Sequence, residues 1–273
     1  ELIEKFGADG VRMGMMLAAP AGNDILFDDA LCEQGRNFCN KIWNAYRLVS
    51  GWTIDDSQPV PEAARLASFW FESKQNEVAA EVADLFSKYR LSEALMAVYK
   101  LFWDEFSSWL LEIVKPAYGQ PVNGFVYDMV LSSFERLLEL LHPFMPFITE
   151  ELWQQLRERE PGESLMVTQL FEPVGANEQF LADFEVAKEI ISNVRSIRLQ
   201  KNIALKEELE LQVVGTHPVE KLNPVIIKMC NLSSVTVVES KSEGAASFMI
   251  GTTEFAVPLG NMIDVEAEIA RME

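Results

Sequence analysis

Leu31, Phe38, Ile42, Ala45 and Val49 fall within about 60° of one another when the chain is wound at 100° per residue, which is the stripe of a helix that buries one face. Opposite them, Arg36, Asn40, Trp43 and Arg47 form a second stripe at i, i+4, i+7 and i+11, with Asn37, Lys41 and Asn44 in the adjoining arc. Asp28 or Asp29 is placed to cap this helix and Gly51 to end it. The same pattern predicts a helix over 8–17, broken by Pro20 and Gly22, and a short extended piece at ILFD, residues 25–28. Pro61 suits the first turn of a helix running to about Lys88. Another is expected from Ser92 to Lys115, stopped by Pro116 and rich enough in Leu95, Val98, Phe102, Phe106, Trp109 and Ile113 to lie at the centre. MVLSSFERLLELLHP ends a fourth helix at Pro143, and a fifth begins near Pro146. Four to five long helices with short loops describe a bundle.

Beyond Pro161 the texture changes. One more helix is expected over 180–200, followed by short β-type runs at LELQVVG, SVTVVES, SFMIG and EFAVP, with KLNPVIIKMC helical between the first two. The expected fold class is therefore mainly α, a helical bundle followed by a small α/β domain.

The 273 residues, 49% of them hydrophobic, are enough for one large or two modest cores. No apolar run approaches the roughly 20 residues of a membrane span. The opening ELIEKFGADG is too charged for a signal peptide, so a cytoplasmic protein without membrane partners is expected. The chain opens on Glu1 and closes in IDVEAEIARME, a helical pattern with no stop signal, which reads as a piece of something larger. Cys32, Cys39 and Cys230 have no CxxC spacing and read as small buried hydrophobes.

A formal charge of −19 argues against general nucleic-acid binding, and DNA is not expected as a partner. The distribution leaves room for local contacts. Residues 31–50 hold Arg36, Lys41 and Arg47 against Glu33 alone, and residues 190–206 hold Arg195, Arg198, Lys201 and Lys206 with no acid.

Catalytic signals are sparse. His142 and His217 each precede a proline with no triad or metal pattern, and no GxxxxGK[ST], GxGxxG or GxSxG occurs. The NLS triplet at Asn231 has the form of a glycosylation sequon, without meaning in a cytosolic protein. Phe69, Trp70 and Phe71, followed by Lys74, are consecutive aromatics that cannot all face one way. The polar stripe at 36–47 has two readings by composition: interhelical hydrogen bonding with Trp43 packed in a groove, or a surface that offers amide edges, guanidinium forks and a flat ring to bases and phosphates.

The succession ELIEKFGADGVRM, GNDILFD, GRNFCNKIWNA, WDEFSSWLLEIVKP and HPFMPFITEELW resembles the carboxy-terminal half of the large class I aminoacyl-tRNA synthetases for aliphatic amino acids. NVRSIRLQKNIALKEELELQVVG and GTTEFAVPLGNMIDVEAEIARME are most similar to the valine branch. The isoleucine branch would be expected to end in a cysteine-rich zinc module, and the leucine branch fits less well late in the chain. At LKEELE the sequence carries fewer lysines than that resemblance suggests.

The resemblance implies a parent ligase that uses ATP with Mg to join valine to its tRNA. Its catalytic and editing domains are not represented here, so this chain alone should hold no cofactor and be inactive. It implies that residues 1–30 end the junction after the catalytic domain, 31–172 form the anticodon-binding bundle, 173–263 the small α/β domain, and 264–273 the start of a coiled-coil arm. A monomer with valine tRNA as partner is expected. The candidate anticodon site is Arg36, Asn37, Asn40, Lys41, Trp43, Asn44 and Arg47, with Trp70 or Trp43 as stacking platform and Lys74 nearby. The competing class is a helical protein-binding scaffold, with the stripe as interhelical packing.

Overall fold

Two glycines set how closely the first long helix is held. Helix α1 (Leu2–Phe6) leads into α2 (Ala8–Leu17), which packs on α3 (Asp29–Ser50). A Cβ on Gly14 would stand 2.6 Å from the backbone nitrogen of Cys32, and one on Gly35 would stand 2.5 Å from the carbonyl oxygen of Gly10. Only hydrogen fits at either point, so the two backbones meet directly and α3 is fixed in rotation. Asp28 caps it, accepting the N–H of Ala30 at 2.9 Å.

The computed structural model describes residues 1–20, 22, 24 and 27–260. The expected extended piece at ILFD involves Ile25 and Leu26, and the expected arm covers 264–273; both lie outside the described residues. The chain forms two compact units, residues 1–61 with 67–177, and residues 62–66 with the chain from Glu178 onward.

Helix α4 (Glu62–Ser87) follows Pro61, which takes the N-cap position rather than the first turn, and belongs to the first unit from Ala67 on. The helix expected over 92–115 is continuous, but it is α-helical only at its ends, α5 (Leu91–Lys100) and α6 (Leu111–Val114). Its middle, Leu101–Leu110, is π-helical, and there the wider i→i+5 turn is met by the Ser108 hydroxyl donating to the Trp103 carbonyl at 2.9 Å. The sequence signal for this is the run Val98, Phe102, Phe106, Leu110, Val114, buried at a strict spacing of four. An ordinary α-helix would carry that series round its axis, whereas a wider middle turn keeps it on the core side. Helices α7 (Gly124–Leu141) and α8 (Pro146–Leu156) complete the bundle. Its centre is aromatic: Phe102 meets Phe38 at 5.6 Å and Phe134 at 5.7 Å between ring centroids, and Phe106 meets Phe71 at 5.5 Å and Phe134 at 5.2 Å.

In the second unit, α9 (Glu178–Gln200) precedes β1 (Leu209–Val214), α10 (Asn223–Cys230), β2 (Leu232–Val238), β3 (Ala246–Ile250) and β4 (Thr253–Val257). The sheet order is β2-β1-β4-β3, with β1 and β2 parallel across α10 and the other pairs antiparallel. Leu209, Leu211 and Val213 alternate into the core, where Phe184, Ile190 and Val194 of α9 are also buried.

Candidate nucleic-acid interface

Along α3 the two faces separate as the pattern predicts. Phe38, Ile42, Ala45 and Val49 are buried, although Leu31 is only partly covered. Asn37, Asn40, Trp43, Asn44 and Arg47 are exposed. The side chains of Asn37, Asn40, Asn44 and Arg47 make no hydrogen bond or ion pair among the described residues. This is unlike interhelical packing, because a buried amide would be obliged to find a partner. Arg47 lies in the last turn, where a cation also complements the helix dipole.

The remaining candidates divide. Arg36 is half-buried, donating to Glu33 at 2.9 Å and lying 5.8 Å from the Phe6 ring centroid, so much of its fork is engaged. Lys41 is half-buried, with its ammonium 5.0 Å from the centroid of Trp103. Trp43 is 38% exposed and leans on Tyr46, at 5.7 Å between centroids. Trp70 has no exposed surface and packs against Phe71 at 5.8 Å, so it is a core ring and not a stacking platform. Of the three consecutive aromatics it is Phe69 that lies outside, 47% exposed. Lys74 is paired with Glu77 at 2.8 Å and lines a cleft of about 500 Å³ with Lys100 and four acids, Glu81, Glu93, Asp104 and Glu105. No α3 residue lines that cleft, and its acids would repel a phosphate. Lys74 therefore does not join the α3 surface.

Sequence reasoning missed Tyr99 and Trp103. Both are half-buried, they stack on each other at 5.5 Å and 26°, and both touch Phe38 of α3. Each follows directly after a member of the buried four-residue series, Val98 or Phe102, which is where a rim residue belongs.

The second basic segment is largely structural. Arg198 is buried, donating to the carbonyls of Cys230 at 2.7 Å, Asn231 at 3.1 Å and Ala204 at 3.0 Å, and burial lowers its pKa. Arg195 donates to the Met229 carbonyl at 3.1 Å. Together they satisfy the carbonyls that end α10. Asn231 is the left-handed cap of that helix, with φ 51°, and its amide donates to Leu205 and Glu207.

The histidines have local partners, His142 with Thr149 at 2.7 Å and His217 with Asn223 at 2.7 Å. Cys32 and Cys230 are buried and Cys39 is partly so; burial pushes the thiols of Cys39 and Cys230 up to about 12, far from a reactive thiolate.

Residues 68–213 match a family model described as the anticodon-binding domain of tRNA ligase. The whole chain is 78% identical, over 278 residues, to the valine–tRNA ligase of Bacteroides fragilis, of which it covers 31%. It is 74% identical over 275 residues to that of Bacteroides thetaiotaomicron and 68% identical over 273 residues to that of Phocaeicola vulgatus, each covering all of this chain and 31% of the relative. The chain thus spans about a third of the length of the relatives it matches.

Proposed function

Because the chain belongs to the anticodon-binding domain family of tRNA ligases, we propose that it is the part of a valine–tRNA ligase that holds the anticodon of valine tRNA, with the polar arc of α3 as its reading surface. The observation that carries this is the set of uncommitted groups on that arc: three exposed amides and one guanidinium without an internal partner among the described residues. Single-stranded loops are read by such groups, which hydrogen-bond base edges while flat groups stack. Valine anticodons share A then C at their second and third positions, so Asn37, Asn40 and Asn44 have fixed edges to read. Arg47 and Lys41 are cations within reach of the same loop's phosphates.

Under this reading residues 1–30 close the preceding junction, 31–172 are the RNA-binding bundle and 173–263 the small α/β domain. The parent acts as a cytoplasmic monomer. ATP and Mg serve its catalytic domain: the chain has no phosphate-cradling motif, and in the cleft holding Lys74 the four carboxylates of Glu81, Glu93, Asp104 and Glu105 outnumber Lys74 and Lys100, a poor fit to a triphosphate. No helix of the described residues is long and apolar enough to cross a membrane.

The test is titration of the chain with a valine-type anticodon stem-loop at two salt concentrations, beside a stem-loop with the second and third anticodon bases exchanged. Tighter, salt-sensitive binding of the valine-type loop is expected. Equal affinity for both loops, or none for either, overturns the reading.

A further inference from the structure

We infer that Tyr99 and Trp103, not a tryptophan of α3 or α4, form the platform on which an unpaired base of the bound loop stacks, and that Lys41 covers this platform until the base arrives. The inference rests on the anticodon reading above and assigns the stacking role within it.

Position comes first. At 100° per residue, Lys41 lies beside Asn37 and Asn44 on α3, whereas Trp43 lies about 160° round the helix from Lys41, at the end of the arc where Arg36 leans toward Phe6. Asn37 and Asn44 lie about 40° and 60° from Lys41 but about 120° and 100° from Trp43, so a base whose edge meets either amide is nearer to the ring under Lys41 than to Trp43. The two rings of the platform are already stacked, at 5.5 Å and 26°, and Phe38 supports both from the core, at 4.8 Å from Tyr99 and 6.4 Å from Trp103. Both rings are thus packed against each other and against Phe38.

The backbone points the same way. Trp103 is carried on the π-helical segment Leu101–Leu110, a geometry that is rare and frequent at functional sites. In the same segment Phe102 and Phe106 are buried in the core, and Trp103 lies on the rim, half-exposed.

Lys41 supplies the exchange. Its ammonium lies 5.0 Å from the Trp103 centroid, and no ion pair holds it among the described residues. A cation over a partly exposed ring is a weaker contact than a stacked base, so an incoming base displaces it. The freed ammonium then meets the phosphate that accompanies the base.

The experiment titrates the full 273-residue chain with a valine-type stem-loop carrying 2-aminopurine in the anticodon, reading fluorescence and affinity across a salt series. Wild type should quench the probe on binding. Trp103→Leu should abolish the quench and weaken binding about 5- to 150-fold, the loss of one stacked base. Trp43→Ala should change affinity less than twofold. Lys41→Leu, which leaves both rings in place, should lower the salt slope by about one and provides a test that does not depend on the folding of Trp103→Leu. Wild-type binding with quench and affinity unchanged in Trp103→Leu overturns the platform, and an unchanged slope in Lys41→Leu overturns the exchange together with the phosphate role of Lys41; either result leaves Asn37, Asn40 and Asn44 standing as the reading surface. Failure of the wild-type chain to bind any stem-loop overturns both.

Discussion

The carboxylate of Asp9, on α2, accepts the backbone N–H of Ile148 at 2.7 Å, and so serves the first turn of α8 from a helix 139 residues away in sequence. That helix has no side-chain cap of its own. Three residues on, Arg12 donates to the carbonyls of Phe144 at 3.0 Å and Pro143 at 3.2 Å, which follow the end of α7. One turn of α2 therefore satisfies orphan groups on both sides of the α7–α8 bend.

Asp9→Ala should cost about 0.5 to 2 kcal/mol in chemical denaturation, as removal of a cap does. Burial raises the pKa of Asp9 more than the N–H groups of Ile148 and Phe147 lower it. A raised folded value means that its contribution is full below the unfolded value of about 3.9 and is lost as pH rises through the folded one. Asp9→Asn keeps an acceptor without the charge, so it should gain on wild type as pH rises through that range. A constant difference between the two across the range would contradict this.

The histidines give the opposite slope. Burial lowers the pKa of both His142 and His217. Their contribution is fully present above the unfolded value of about 6.5 and is lost as pH falls through the folded values. His217 also accepts the N–H of Val219 at Nδ1, 3.2 Å, which a protonated ring cannot do. The melting temperature should fall as pH drops from about 7 to 5, and His217→Gln should flatten that fall.

On α3 the exposed and buried faces should respond differently. Arg47→Ala and Asn44→Ala should change stability by no more than about 0.5 kcal/mol, and Arg47→Ala should reduce the salt slope of stem-loop binding by about one. Phe38→Ala and Ile42→Ala should each cost about 2 to 5 kcal/mol. Paired denaturation and binding measurements check both halves. Loss of several kcal/mol in Arg47→Ala with unchanged RNA affinity would return the stripe to a packing role.

Gly14→Ala and Gly35→Ala should each destabilise the bundle by about 1 to 3 kcal/mol, since the added methyl meets backbone atoms that cannot step aside. Gly22 has φ 83° and nothing within 4 Å of a built Cβ, so any cost of Gly22→Ala would come from backbone strain alone. Thermal unfolding of the three variants separates close packing from conformational freedom.

Most of the helix and strand order could be read from the chain, because burial of one face imposes a period that survives without knowledge of the partner. Phe38, Ile42, Ala45 and Val49 announce a buried stripe, and Leu209, Leu211 and Val213 a strand, wherever the partner surfaces lie. The exposed arc Asn37, Asn40, Asn44 and Arg47 was legible for the same reason: it is the complement of the core face. What periodicity could not assign was which members of mixed clusters are inside. Trp70 and Phe69 are adjacent and chemically alike, yet only packing against Phe71 and its neighbours decides that the first is buried and the second is not. Arg198 and Arg47 are equally basic in sequence, but one spends its fork on the carbonyls ending α10 and the other leaves it in solvent. The π-helical turn that leaves Trp103 on the rim, and the long-range clasp of Asp9 on α8, join groups distant along the chain or shift the period itself. Such relationships depend on where the backbones of other helices run, and only the tertiary structure decided them.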